Sequence, residues 1–122
     1  MHRFTQLAAG FAATLLLGTG PALAGYGAIA FNEATGKYGL SWNEQTQHRA
    51  EEIALRDCGG EGCKIVVPVG PRECAALATA EKGTAWGAAK RPNRDAAKLG
   101  ALEGCQKRTS GKCILRGNEC NR

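Results

Sequence analysis

The amino-acid sequence predicts a small α+β domain made of two degenerate ββαβ repeats and cross-linked by three disulfides. Three observations lead to this prediction. The chain opens with an export signal, all six cysteines follow that signal, and the part after the signal repeats itself at a spacing near 47 residues. Self-similarity at a fixed spacing is typical of a duplicated supersecondary unit.

Residues 1–24 have the pattern of a cleavable signal peptide. Arg3 supplies a positive charge, an apolar run extends from Leu7 to Leu17, and residues 22–24 (Ala-Leu-Ala) form the small-x-small pattern that signal peptidase recognises. The apolar run is short for a bilayer-spanning helix, and no stop-transfer pattern follows it. An uncleaved N-terminal anchor is the alternative. We therefore expect one mature domain at residues 25–122, periplasmic or secreted, without stable membrane insertion.

The cysteines of the mature part indicate a disulfide framework. Their number is even and they follow an export signal, which is the usual setting for disulfides. Zinc binding is the alternative, but zinc favours C-x-x-C pairs, often with histidine. None of the cysteines is spaced in that way, and the single histidine of the mature part, His48, is far from most of them. We expect no metal and no cofactor. The six residues are Cys58, Cys63, Cys74, Cys105, Cys113 and Cys120.

The internal repeat is clearest in two alanine-rich segments that end in cysteine. At a constant offset, Ala50, Ala54, Leu55 and Cys58 fall on Ala97, Ala101, Leu102 and Cys105. Further along, the alignment matches Cys63 with Cys113 and Cys74 with Cys120. The two repeats are therefore predicted at about residues 25–74 and 75–122.

Each repeat is predicted to contain two strands, a helix and a third strand. Thr46 and Asn93 are suitable N-caps for the two helices, and Gly59 is placed to end the first. Gly36 is placed to supply the positive φ of a hairpin turn. The predicted strands are residues 26–31, 38–42, 63–69, 74–79, 84–89 and 113–116, and the predicted helices are residues 46–57 and 95–104.

The repeat also predicts the disulfide pairing. Cys58 and Cys63 straddle one helix-to-strand loop, and Cys105 and Cys113 straddle the equivalent loop. Symmetry then leaves Cys74 paired with Cys120, a bridge expected to join the two repeats. A pairing that joins the two helices directly is the alternative. In the loop-entropy model the short bridges contribute roughly 2 to 3 kcal/mol each and the long one about 4 kcal/mol.

The ordered set of small, aromatic and cysteine residues resembles the domain of unknown function family 4189. The resemblance extends over nearly all of the mature chain. It implies an exported bacterial protein, and it implies no catalytic residue because that family has no agreed ones. The segments that carry it are residues 26–30, Tyr38-Gly39, the helix into Cys58, Cys63, residues 74–76, Trp86-Gly87, residues 97–105, Cys113 and Cys120.

Charge and candidate catalytic groups narrow the possible functions. The mature part carries 15 basic and 11 acidic side chains. Its densest basic run, Lys90, Arg91 and Arg94, is interrupted by a proline, so we expect no nucleic-acid partner. Ser41 and His48, with Glu51 or Glu52, are the only local candidates for nucleophilic catalysis, and a surface His–Glu pair is commonplace.

Three large aromatic side chains are the predicted binding anchors, because aromatic residues dominate binding hot spots. The leading hypothesis is a non-enzymatic module that binds a protein partner outside the cytosol, of the inhibitor, immunity or effector type. One alternative is a small envelope hydrolase that uses His48. Another is a structural protein associated with the cell wall through its basic surface. The predicted anchors are Tyr38, Trp42 and Trp86.

Overall fold

The computed structural model describes residues 24–122, so the predicted signal peptide lies outside the described residues except for Ala24. The described part forms a small α+β domain with two three-stranded antiparallel sheets and two helices. Both halves have the element order β-β-α-β. The elements are β1 (Tyr26–Phe31), β2 (Tyr38–Glu44), α1 (Gln47–Cys58), β3 (Lys64–Val69), β4 (Cys74–Ala80), β5 (Trp86–Arg91), α2 (Arg94–Gln106) and β6 (Cys113–Cys120).

The elements stack in four layers. The strand order is β2-β1-β3 in sheet A and β5-β4-β6 in sheet B, so the first strand of each half is the central one. Helix α1 covers the outer face of sheet A, and α2 covers the outer face of sheet B. The inner faces of the two sheets pack on each other and enclose a third apolar core.

Side-chain size along the central strands explains this layering. Successive residues of a strand point to opposite faces. Ala28 and Ala30 of β1 pack against α1, whereas Ile29 and Phe31 point between the sheets. In β4, Ala76 and Ala78 pack against α2, and Leu77 points between the sheets. Small residues thus let each helix approach its sheet closely, and larger ones fill the space between the sheets.

The helix boundaries confirm the predicted caps. The Thr46 side chain accepts a hydrogen bond from the Arg49 backbone N–H at 3.0 Å, and Asn93 accepts one from Ala96 at 2.8 Å. Gly59 ends α1 with a φ of 69°, in the left-handed region that favours glycine. Strand β6 is longer than predicted, because it pairs with β4 along the whole strand from Ala80 to Cys74.

The three disulfides join Cys58 to Cys63, Cys105 to Cys113 and Cys74 to Cys120, which are the predicted pairs. The predicted role of the third bridge was wrong. Cys74 is the first residue of β4 and lies opposite Cys120 of β6, so the bridge links neighbouring strands of sheet B. Because Ala28 of β1 corresponds to Ala76 of β4, the counterpart of Cys74 is Tyr26. Cys74 thus opens the second half of the domain instead of closing the first.

The core between the sheets and the buried amide of Asn121 both join the two halves. Asn121 donates hydrogen bonds to the carbonyl oxygens of Val69 and Gly70, both at 3.1 Å, and accepts one from the Asn43 backbone N–H at 2.9 Å. Only 5% of Asn121 is exposed. This side chain therefore holds the end of the chain against β2 and β3 of the other sheet.

Candidate functional site

Aromatic side chains from both sheets meet at one end of the core between the sheets. Trp86 of β5 packs on Phe31 of β1 with 5.0 Å between ring centroids. Tyr38 of β2 lies directly opposite Phe31 in sheet A. Opposite residues on paired antiparallel strands project from the same face of a sheet. Two of the predicted anchors, Tyr38 and Trp86, are therefore neighbours of the same phenylalanine.

The third predicted anchor, Trp42, lies elsewhere. It is four residues beyond Tyr38 on β2, which places it roughly 13 Å away along the strand at 3.3 Å per residue. All three side chains are half-buried and pack against the core between the sheets. The three predicted anchors therefore do not form one exposed aromatic surface.

Arg108 covers the ring of Trp86. Its guanidinium carbon lies 4.7 Å from the ring centroid, within the range of a cation–π interaction. Arg108 belongs to the loop of residues 106–112, which the Cys105–Cys113 disulfide closes. Within this loop, the Gln106 side chain donates to the Gly111 carbonyl at 2.9 Å. The bridge and this hydrogen bond fix the position from which Arg108 reaches the tryptophan.

A second arginine belongs to β6, which pairs with β4 on the edge opposite to β5. The Arg116 Nε donates to the Thr79 hydroxyl at 2.8 Å. Thr79 of β4 is 6% exposed and lies directly opposite Trp86 of β5. Within residues 24–122, neither Arg108 nor Arg116 has a carboxylate oxygen within 4.0 Å. We call this group the Trp86 corner, and it consists of Phe31, Thr79, Trp86, Arg108 and Arg116.

A cleft of about 280 Å³ adjoins the Trp86 corner and shares Phe31 with it. Asn32 forms part of its wall and is 4% exposed. The Asn32 amide donates to the Glu61 carbonyl at 2.9 Å, and its oxygen accepts from the Ala34 backbone N–H at 3.0 Å. One residue thus fixes both loops that border the cleft. The lining residues are Phe31, Asn32, Glu33, Ala34, Gly62, Lys64 and Val66.

The two halves of the domain differ in charge. Residues 25–73 carry five basic and seven acidic side chains, whereas residues 74–122 carry ten basic and four acidic ones. Their formal charges are therefore −2 and +6. The disulfide-closed loops differ in the same way: residues 59–62 contain three glycines and one glutamate, and residues 106–112 contain three cations and no acid. Four of the five residues of the Trp86 corner belong to the basic half, and Phe31 belongs to the other half.

The residues of the predicted hydrolytic site are not brought together. Ser41 is 4% exposed and lies under α1, where its hydroxyl donates to the Ala50 carbonyl at 2.6 Å. The His48 side chain is 86% exposed and has its Nε2 3.4 Å from an oxygen of Glu52. The hydroxyl is therefore sealed beneath the helix while the imidazole points into solvent.

The predicted basic run makes contacts within the protein. Lys90 donates to the Pro68 carbonyl at 3.1 Å, and Arg94 forms an ion pair with Glu119 at 2.8 Å. Glu73 accepts from the Gly70 backbone N–H at 2.8 Å. These side chains connect strands and loops.

All six cysteines form disulfides, so none is available as a zinc ligand. Across residues 24–122, no three histidine, cysteine, aspartate or glutamate side chains gather closely enough to hold a metal ion. In the same part of the chain, neither helix has the length and apolar character needed to cross a bilayer.

Sequence reasoning missed Phe31, Arg108 and Arg116. The sequence pattern places Phe31 in a strand and predicts no function for it. Nothing in the pattern distinguishes the two arginines from the many other cationic residues. The two disulfide-closed loops differ in composition, and this difference could have identified Arg108. When two halves of a domain are otherwise similar, a feature that only one of them has is a candidate for a function that the other lacks. Nothing in the sequence identifies Arg116, whose place depends on the pairing of β6 with β4.

These features define an α+β domain of four layers whose helix-to-strand loops are closed by disulfides. The chain belongs to the family described as domain of unknown function DUF4189, whose model matches residues 26–120. It is also similar to the uncharacterized proteins Rv1813c of Mycobacterium tuberculosis (strain ATCC 25618 / H37Rv) and Mb1843c of Mycobacterium bovis (strain ATCC BAA-935 / AF2122/97). Each is 44% identical over 46 residues, which is 38% of this chain and 32% of the relative. The match thus spans about a third of the length of these relatives. No solved structure matches the chain.

Proposed function

We propose that this protein is a non-enzymatic binding module that acts outside the cytosol and recognises a protein partner through the Trp86 corner. The observation that carries the proposal is the position of Trp86, which is held between Phe31 and Arg108 at the rim of the core between the sheets. An aromatic side chain fixed in this way loses little conformational entropy on binding. Tryptophan and arginine are also the residue types most enriched in binding hot spots.

The disulfides support a role in an oxidising compartment. Three bridges in about 100 residues are typical of small exported domains, and the predicted signal peptide fits the same setting. The Cys105–Cys113 bridge also closes the loop that carries Arg108, so oxidation favours the binding-competent arrangement. We therefore place the protein in the periplasm or in the secreted fraction.

We also propose that the domain arose by duplication of one ββαβ unit. Both halves have the same element order and the same strand order, and in both a glycine of the second strand lies under the helix. After duplication, only the second half acquired the longer, cationic loop. This history would leave the first half as the scaffold and the second as the binding half.

The test is a comparative capture experiment with the oxidised, exported protein. Wild-type protein, Trp86→Ala and Leu99→Ala are immobilised and exposed to envelope and culture fractions of the source organism. Leu99 is a suitable control because it is 59% exposed on α2, and its replacement also removes an apolar side chain.

The proposal expects a partner that wild-type protein and Leu99→Ala retain equally and that Trp86→Ala loses. Circular dichroism of each variant checks that the fold is intact. A partner retained equally by all three proteins would show that Trp86 is not part of the interface. Hydrolysis of an envelope component by the purified protein would contradict the non-enzymatic assignment.

A further inference from the structure

We infer that the Trp86 corner binds an acidic segment of the partner protein, with carboxylates held by Arg108 and Arg116. The inference rests on the proposed function and adds the chemistry of the partner. The Arg108 guanidinium lies over the ring of the half-buried Trp86, and the Arg116 guanidinium is bonded to Thr79, the residue opposite Trp86 in sheet B. The corner therefore offers one cation on the aromatic ring and a second on the neighbouring strand.

The hydrogen-bonding capacity of the two arginines is largely unused. Arg116 donates through Nε to Thr79, so the N–H groups of its two terminal nitrogens remain available. Arg108 lies over the ring of Trp86, and within residues 24–122 its guanidinium donates no hydrogen bond. A guanidinium that stacks through its face still presents its N–H groups along its edge. This edge matches the two oxygens of a carboxylate.

The surrounding charge favours an anionic partner. The half that contains both arginines carries a formal charge of +6. Of the four acids in this half, Glu119 is already paired with Arg94. Glu81 of the β4–β5 turn adjoins the 106–112 loop, because its backbone N–H donates to the Lys112 carbonyl at 2.8 Å, and the three cations of that loop outnumber this acid. A field of this sign attracts acidic segments before contact and raises their rate of association.

The form of the corner favours a protein segment over a membrane or a polyanion. Arg108 lies on Trp86 and Arg116 on the opposite residue Thr79, and a cleft of about 280 Å³ with Phe31, Ala34 and Val66 in its walls adjoins the corner. Headgroup binding by charge alone uses clusters of roughly four to eight cations on one face. An acidic residue followed by an apolar one fits both the arginines and the cleft.

The experiment measures binding of a defined probe, a fluorescently labelled hexaglutamate peptide with one central leucine, to the oxidised full-length exported protein. The site variant is Arg108→Gln with Arg116→Gln. The control variant is Arg91→Gln with Lys98→Gln, which removes the same charge from exposed positions of the same half. Arg108→Gln alone is included because the Arg108 side chain donates no hydrogen bond within residues 24–122, so this variant should fold normally.

We expect the site variant to weaken peptide binding at least tenfold, Arg108→Gln alone to weaken it severalfold, and the control to change it less than twofold. An equal loss in the site and control variants would show that net charge alone attracts the peptide, and would overturn the inference. Tighter binding to phosphatidylglycerol vesicles or to a sulfated polysaccharide than to the peptide would also overturn it.

The same variants separate this inference from the proposed function. If the partner captured from envelope fractions is lost by Trp86→Ala but kept by the site variant, the protein is a binding module whose partner is not held through carboxylates. If both variants lose the partner and the peptide, both proposals hold. If neither loses the partner, the Trp86 corner is not the interface and both fail.

Discussion

Gly39 of β2 lies directly against the carbonyl oxygen of Ala54 in α1, so that a Cβ atom at this position would overlap the helix backbone. The second half repeats the relationship, because Gly87 of β5 meets the carbonyl oxygen of Ala101 in α2 in the same way. Close approach of helix and strand backbones is therefore a shared design of the two halves. It also explains why the helix faces that meet the sheets consist mainly of alanine.

Gly39→Ala and Gly87→Ala should each lower the free energy of unfolding by about 3 kcal/mol or more, because the added methyl group can be accommodated only by moving a helix. The measurement is urea unfolding followed by circular dichroism. Gly111→Ala is the control, because the nearest atom to an added Cβ there is a Thr109 hydroxyl 3.4 Å away. A loss below about 1 kcal/mol at Gly39 would contradict the close packing.

The features that sequence predicted well are local or repeated. Thr46 and Asn93 were identified as caps because a cap depends on the next three residues, and the short disulfides followed from two matching loops. The predicted role of Cys74 was wrong because the order of the cysteines suggested that Cys74 ends the first repeat, as Cys120 ends the second. The strand alignment instead makes Tyr26 the counterpart of Cys74.

The Trp86 corner could not be predicted as a group. The sequence singles out Trp86 only as a large aromatic side chain, whereas its contacts come from β1 and the loop after α2. The arginine of β6 joins the corner through Thr79, the residue opposite Trp86. The residues that these elements contribute lie 20 to 55 residues from Trp86 in the sequence, and they come together only when the two sheets pack. Contacts between sheets depend on strand order and crossing, and neither is encoded in a short sequence pattern.

Asn121→Ala should destabilise the domain by about 2 to 3 kcal/mol, because three hydrogen bonds are lost and buried backbone groups of β2 and β3 lose their partner. Asn118→Ala is the matched control. Its side-chain oxygen is buried and has no partner within the described residues, so its removal should cost little. Thermal unfolding of both variants provides the comparison. Similar losses in both would show that Asn121 does not join the two sheets.

His48→Gln should change the free energy of unfolding by less than about 0.5 kcal/mol, because the side chain is 86% exposed and its contact with Glu52 lies in solvent. Urea unfolding checks this expectation. The variant also tests the alternative of an envelope hydrolase. If wild-type protein hydrolysed an ester or peptide substrate and His48→Gln did not, the exposed imidazole would be functional and the binding-module assignment would fail.

The two short disulfides should contribute similarly to stability but differently to binding. Each closes a loop at the end of a helix, with sequence separations of 5 for Cys58–Cys63 and 8 for Cys105–Cys113. Replacing either pair by alanines should therefore lower the free energy of unfolding by about 2 to 3 kcal/mol. Only the Cys105–Cys113 loop carries Arg108, so only loss of that bridge should free the arginine from the ring of Trp86.

The measurement combines urea unfolding of both double variants with anisotropy of the labelled acidic peptide under conditions in which each variant is folded. Loss of the Cys105–Cys113 bridge should weaken binding of the peptide severalfold. Loss of the Cys58–Cys63 bridge, whose loop borders the cleft but carries no cation, should weaken it less. Equal weakening by both would mean that binding follows overall stability. Since the two variants are expected to be equally stable, stronger weakening by loss of the Cys105–Cys113 bridge would assign the effect to the loop that carries Arg108.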